Sequence, residues 1–346
     1  MRRRWIILAA VAVPLAAGAA YTGYWFWLAH QLSRNLAAWT DYWRTQGYRI
    51  SFDQQAVEGY PFDARLVLRH VSVQPPTVEP PWRAWTDTLA LSIAPWQPLS
   101  LHSNGTAPRA TYNLEWSVAD RNFSFALEGV DVAVRFPSGG EAPEMTWQGH
   151  DVGLFRNGNY AGSAVDLAGR IDLLAPAAND KPTADFHIWA YSVTCCFDRP
   201  TSEHRDVYRP SVEGQLMGPI LPGPITNALD AWRRRGGYLN LTRIEADLSP
   251  PMVAGAATIA LDADLQPIAA GTATLRRYND FIDGLVADSA VPPALGLAAK
   301  VALGAAARPA ADGSQEMEAR VPITVQDGYL SVGPVRLLAL PRIIWQ

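Results

Sequence analysis

The chain has 346 residues, of which 49% are hydrophobic and 18% are charged, and its formal net charge is −4. This apolar content excludes a disordered tether. A slightly acidic chain without a long basic run is poorly suited to binding nucleic acid. The two cysteines, Cys195 and Cys196, are adjacent, so they cannot hold a metal alone. We expect two thiols on opposite strand faces, with a vicinal or intermolecular disulfide as the alternative.

An uncharged apolar run, Trp5 to Leu28, follows three arginines at positions 2–4. At about 1.5 Å per residue, a helix of this length spans roughly 36 Å, which exceeds a hydrocarbon core of about 30 Å. The arginines favour a cytoplasmic N-terminus. The pattern predicts a single-pass inner-membrane anchor over residues 1–30, with the bulk of the chain in the periplasm.

A cleaved signal peptide is the competing interpretation of the N-terminus. Ala17-Gly18-Ala19 has the small-residue form that signal peptidase accepts. Cleavage there would leave the aromatic segment Tyr21 to Leu28 as a bare terminus, whereas in an uncleaved anchor these rings fall at the outer membrane interface, which they prefer. We therefore favour an uncleaved anchor.

Alternation of apolar and polar residues dominates the middle of the chain and is typical of half-buried antiparallel strands. The alternating segments are 65–73, 111–116, 122–127, 131–136 and 164–173. Because no crossover helices separate them, the pattern predicts curled antiparallel sheets and a mainly β fold, a β-rich α+β class.

Helical spacing of apolar residues occurs in three places. One stripe contains Leu32, Leu36, Trp39 and Trp43 and continues the anchor to a stop at Gly47. The other two helices are expected at 225–235 and at 278–307, the latter broken at the proline pair 292–293.

The first two of these helical segments look like copies of one unit. Trp43 to Phe52 parallels Trp232 to Leu241: each helix ends in Trp-Arg, meets glycine and leads into a strand. The sequence therefore predicts a duplicated helix-plus-sheet arrangement, with a first β-rich unit at 31–215 and a second at 216–346, and either common descent or a recurring way of ending a helix on a sheet explains the likeness.

Turn and corner motifs along nearly the whole chain resemble those of one family. They are the Trp-x-x-x-Gly-Tyr entry at Trp43, the corner Val57 to Phe62, the segment Ala260 to Pro267 and the closing Asp327 to Pro334. On these motifs the chain resembles the proteobacterial family DUF2125. The resemblance implies an envelope location and a mostly β fold, and it implies no substrate. The fold style is similar, by analogy alone, to that of AsmA-type envelope proteins with lipid-conducting sheets.

No catalytic constellation is found in the sequence. There is no Gly-x-Ser-x-Gly turn, no glycine-rich phosphate loop and no His-x-x-x-His pair. Asp185 and His187 share a strand face and come nearest to a metal or acid-base pair, but we expect them to form an exposed polar strand face. We predict a protein that is not an enzyme and needs neither cofactor nor metal.

Five tryptophans in or beside predicted strands are the candidate binding residues: Trp85, Trp96, Trp116, Trp147 and Trp189. Such rings fill a core between sheet and helices, or they line a groove that takes acyl chains or another hydrophobic ligand. The expected function is lipid binding in a β-sheet groove, in envelope maintenance. The alternative is a structural scaffold or assembly partner for other envelope proteins.

Overall fold

A computed structural model describes residues 2–76, 82–104, 111–118, 121–138, 142–174, 181–195, 205–221, 225–248, 252–287, 292–310, 316–333, 335–340 and 342–343. In the first helix the side chains are described from Ala12 onward. The helices of this part of the chain are α1 (Arg2–Thr45), α2 (Ile225–Arg234), α3 (Tyr278–Ala287) and α4 (Pro293–Ala306). The helices expected at 225–235 and 278–307, including the break before Pro293, are confirmed.

Strands make up most of the described chain, and all twenty belong to one sheet. They are β1 (Arg49–Ser51), β2 (Gln54–Glu58), β3 (Ala64–Gln74), β4 (Trp82–Ile93), β5 (Ser100–Asn104), β6 (Thr111–Val118), β7 (Arg121–Glu128), β8 (Asp131–Arg135), β9 (Glu144–Arg156), β10 (Asn159–Leu173), β11 (Pro182–Trp189), β12 (Ser192–Cys195), β13 (Arg205–Met217), β14 (Tyr238–Asp247), β15 (Met252–Leu261), β16 (Pro267–Arg276), β17 (Ala307–Pro309), β18 (Met317–Gln326), β19 (Tyr329–Val332) and β20 (Val335–Ala339). The predicted mainly β fold with antiparallel pairing is confirmed.

Long strands in this sheet bridge pairs of short ones. β3 pairs with β1 and β2, β4 with β5 and β6, and β9 with β7 and β8. β10 and β13 both pair with β11 and β12. From β13 onward the order is a meander through β14, β15, β16, β18, β19 and β20.

Three long strands contain a residue in the left-handed conformation where their neighbour changes. His70, Asp166 and Arg209 have φ values of 52°, 49° and 48°. In β3, His70 separates the residues that pair with β2 from those that pair with β1. In β10 and in β13, Asp166 and Arg209 separate the residues that pair with β11 from those that pair with β12. Because such a residue turns an extended chain, the sheet changes direction along a line through these positions.

The register gives the sheet one apolar face, because directly paired residues lie on the same side. We call two lines of paired residues on this face the apolar rows. The first is Ala64, Ile93, Leu101, Val134, Met145, Ile171, Phe186, Gly214, Leu241, Ala257, Gly271, Ile323, Val332 and Val335. The second is Val57, Leu66, Leu91, Ser103, Val132, Trp147, Gly169, Ile188, Val212, Ile244, Gly255, Ala273 and Val321.

The opposite face of the same strands is polar. One of its rows is Ser100, Arg135, Glu144, Asp172, Asp185, Gln215, Asn240, Thr258, Ala270, Thr324, Ser331 and Arg336. Neighbouring strands lie about 4.8 Å apart, so the first apolar row, which crosses fourteen strands, follows the sheet for roughly 60 Å.

Helices cover the apolar rows at both ends of the sheet. At the first end, α1 lies on β3 and β4: Leu28 packs near Ala64, and Leu32 packs near Leu66 and Leu68, which are fully buried. At the far end, α3 and α4 cover β16 and β18. There the buried cluster contains Tyr278, Ile282 and Ala319, packed against Leu275, Val286, Ala299, Leu303 and Ala307.

The N-terminal helix is continuous through Pro14. Within the residues whose side chains are described, no helix has a stretch both long enough and apolar enough to cross a membrane. The side chains of residues 5–11, which open the run expected to form the anchor, lie outside that description.

The ends of α1 and α2 have the same hydrogen bonds. At the end of α1, the Gly47 amide donates to the Arg44 carbonyl and the Tyr48 amide to the Trp43 carbonyl. At the end of α2, the Gly236 amide donates to the Arg233 carbonyl and the Gly237 amide to the Trp232 carbonyl. Both Gly47 and Gly236 have positive φ, as a Schellman cap requires. The division into units at residue 215 stays a prediction, since β13 and β14 pair within one sheet across it.

Replacing Leu66 by Ala tests the burial beneath α1. We expect Leu66→Ala to lower the free energy of unfolding by about 2–5 kcal/mol, because the residue is 1% exposed. Its direct partner Val57 is 45% exposed, so Val57→Ala should cost less than about 1 kcal/mol. Urea unfolding of both variants in detergent provides the measurement, and equal losses would contradict the packing.

Candidate hydrophobic ligand site

In the described part of the chain, no helix cluster covers the apolar rows in the middle of the sheet. We call the residues concerned the central apolar face: Val132, Val134, Met145, Trp147, Ile171, Phe186, Ile188 and Val212. Among the described residues, the clusters beneath α1 and beneath α3 and α4 include none of these side chains. All of them are half-buried except Ile188, which is exposed.

Within the second apolar row, the exposed fraction of a side chain is small beneath a helix and larger in the middle of the sheet. Leu66 and Ile188 belong to the same row, yet Leu66 is 1% exposed beneath α1 and Ile188 is 37% exposed in the middle. Apolar surface left in water costs about 25 cal/mol per Å². A contiguous patch of such surface marks a binding site for a ligand, a membrane or a partner.

Two aromatic rings of the central apolar face lie against glycines of the next strand. A Cβ atom on Gly169 would collide with the indole of Trp147, its direct partner. A Cβ atom on Gly214 would come within 2.7 Å of Cζ of Phe186. The two glycines therefore leave room for these rings at positions that a Cβ atom would occupy.

Of the five predicted tryptophans, Trp147 belongs to the central apolar face, whereas Trp189 follows Ile188 in β11 and therefore lies on the opposite, polar face. Trp147 and Trp189 line the same cleft, whose volume is about 430 Å³. The Trp189 ring packs on the imidazole of His187 at 4.5 Å between centroids. The cleft lies where β8, β9, β10 and β11 adjoin, and it opens on the polar face, because Glu144, Thr146, Gln148, Arg170 and Trp189 among its lining residues all lie on that face.

The other three predicted tryptophans are not part of this cleft. Trp85 lies on β4, half-buried, with the Arg83 guanidinium 5.3 Å from its ring centroid. Trp96 is exposed in the turn after β4. Trp116 belongs to β6, but its side chain lies outside the described ones.

The polar face, which holds this cleft, is charged and internally paired. Arg170 donates to Asp172 at 2.9 Å and lies 3.3 Å from Glu144. The hydrogen bond to Asp172, and then the charges of Asp172 and Glu144, raise the pKa of the Arg170 guanidinium. These contacts place the charges on the side away from the central apolar face.

The candidate metal or acid-base pair has separate partners. Asp185 accepts a hydrogen bond from Gln215 at 3.0 Å, and His187 Nε2 lies 3.0 Å from the Ser211 hydroxyl. In the described part of the chain, no three His, Cys, Asp or Glu side chains are grouped to hold a metal ion. The side chains of Cys195 and Cys196 lie outside the described residues.

Met145, Phe186 and Ile188 belong to the site, although the sequence did not single them out. Each alternates with polar neighbours, as in Asp185-Phe186-His187-Ile188, so the pattern did mark one face of each strand. Which strands pair, and in which register, decides that these residues adjoin, and alternation does not contain that information.

Comparison with known proteins identifies one family. The family model described as "Uncharacterized protein conserved in bacteria (DUF2125)" matches residues 25–341. No curated protein and no solved structure matches the chain. Because the match spans nearly the whole sequence, the chain belongs to the DUF2125 family.

The contact between Trp147 and Gly169 can be tested by a double-mutant cycle. We expect Gly169→Ala to lower the free energy of unfolding by about 1–3 kcal/mol, because the new methyl group displaces the indole. In a Trp147→Ala background the same change should cost almost nothing. Urea unfolding of the four proteins measures the coupling, and an equal loss in both backgrounds would rule out this contact.

Proposed function

We propose that this DUF2125 protein is a non-catalytic carrier that holds a lipid or another hydrophobic ligand on its central apolar face. The observation that supports the proposal is the pair of apolar rows, continuous across the sheet and uncovered between α1 and the α3–α4 pair. Burying one methylene contributes about 0.8 kcal/mol, so about ten methylenes gain roughly 8 kcal/mol before the cost of ordering the ligand.

The carrier would work from the inner membrane, anchored by residues 1–30 with its sheet in the periplasm, in maintenance of the envelope. Support comes from the arginines at positions 2–4 and from the uncharged run after them. In α1, residues 12–20 are all exposed, and they include Val13 and Leu15 at 66% and 68%. Apolar side chains that the protein itself does not cover suit a lipid environment.

A second candidate is a scaffold for other envelope proteins. The observation that favours it is strand β2, which among the described strands pairs with β3 alone and whose residues Gln54 to Glu58 are all exposed. An unpaired edge strand offers backbone groups that another chain can extend.

Charge placed on the central apolar face tests the carrier. We expect Met145→Glu to reduce co-purified lipid at least tenfold, because a carboxylate on this face must be desolvated beside the acyl chain. Native mass spectrometry of the detergent-extracted full chain provides the measurement.

Thr146→Glu is the matched control, since Thr146 is the next residue of β9, lies on the polar face and is paired with Arg170. It should keep the bound lipid. Lipid-free preparations of the unaltered protein, or an equal loss of bound lipid in both variants, would contradict the carrier function. The scaffold function would then be the remaining candidate.

A further inference from the structure

Exposed aromatic side chains surround α1 where it leaves the sheet. They come from one segment of the helix and from two turns, 59–63 before β3 and 94–99 after β4. We call them the aromatic collar: Tyr24, Phe26, Trp27, Tyr60, Phe62 and Trp96. Their exposed fractions run from 36% at Tyr24 to 70% at Phe62.

Specific contacts hold both turns against the helix. The Tyr24 hydroxyl donates to the Pro95 carbonyl at 3.2 Å, and the Thr22 hydroxyl lies 2.9 Å from that of Tyr60. The buried Trp25 meets the Tyr60 ring edge-on at 5.4 Å. The collar is therefore a built surface, and its rings keep a fixed position relative to the helix axis.

This surface carries no charge. The segments Gly59 to Phe62 and Ala94 to Leu99 contain no acidic or basic residue. Two acids flank the first of these segments: Asp63 pairs with Arg65 at 2.8 Å, and Glu58 is the last residue of β2. Beyond the collar, α1 continues with exposed uncharged residues from position 20 back to position 12. A protein partner would have to cover both the aromatic collar and this stretch of α1, whereas a bilayer covers the two together.

We propose that the aromatic collar lies in the interfacial layer of the bilayer and that lipid reaches the central apolar face directly from there. Indole and phenol rings prefer this layer, where the ring body meets acyl chains and the polar atom meets headgroups. The second part of the proposal rests on the proposed carrier function.

The entry point lies beside α1, next to the collar. α1 buries Ala64. Leu99, three residues after Trp96, is exposed, and so is Phe136, the residue that follows β8. The Phe136 amide donates to the Leu99 carbonyl at 2.8 Å, so the two residues adjoin. By strand alternation they share the face of Leu101 and Val134, which lead into the central apolar face.

Membrane contact of the collar is testable in the full chain reconstituted in lipid nanodiscs. Cys195→Ser and Cys196→Ser provide the background, and Phe62→Cys carries an environment-sensitive dye. We expect nitroxide lipids labelled near the headgroup to quench this dye at least threefold more than a dye on Tyr191→Cys, an exposed tyrosine outside the collar. Equal quenching at both positions would overturn the interfacial placement.

Lipid entry is testable by the rate at which fluorescent phospholipid moves from vesicles onto the protein. We expect Leu99→Glu with Phe136→Glu to slow loading at least fivefold and to leave equilibrium binding unchanged, because charge obstructs the route and not the site. Tyr160→Glu, at an exposed ring near the start of β10, should load at the unaltered rate.

The outcomes separate the two proposals. If the unaltered protein takes up no lipid while the dye at position 62 is quenched, the carrier fails and the interfacial placement stands. If lipid binds and the double variant loads at the unaltered rate, the entry route is wrong and the carrier stands.

Discussion

Strand register is the constraint on which the rest of the structure depends. Because side chains alternate across each strand, a shift of one residue in any pairing would move that strand's apolar residues to the polar face. Here thirteen successive pairings keep the apolar residues aligned from Ala64 to Val335. The result is one sheet with a water-facing side and a side that needs a cover.

The helices supply that cover only in part. α1 buries the rows at the first end, and α3 and α4 bury Leu275 and Ala319 of the same face at the other. A domain built for stability alone would close the middle too, since half-exposed apolar rows lower the free energy gained on folding. The uncovered centre and the aromatic collar beside α1 are both explained if lipid is the missing neighbour of this protein.

Local patterns in the sequence predicted the elements well. Alternation located strands such as β7 and β10, and the caps at Gly47 and Gly236 located two helix ends. The binding face was harder to predict, because tryptophan content drew attention to Trp85, Trp96 and Trp189, which are not part of the central apolar face. Long-range pairing decides which residues adjoin, and the left-handed residues inside β3, β10 and β13 had no signal in composition.

Photo-crosslinking tests the occupancy of the uncovered centre most directly. A phospholipid with a photoreactive group at the end of its acyl chain is incorporated with the full chain, illuminated, and the modified peptides are sequenced. Crosslinks should fall on the central apolar face, at Val134, Met145, Phe186 or Ile188. Crosslinks confined to α1, or spread equally onto polar-face neighbours such as Thr146, would contradict a lipid site on this sheet.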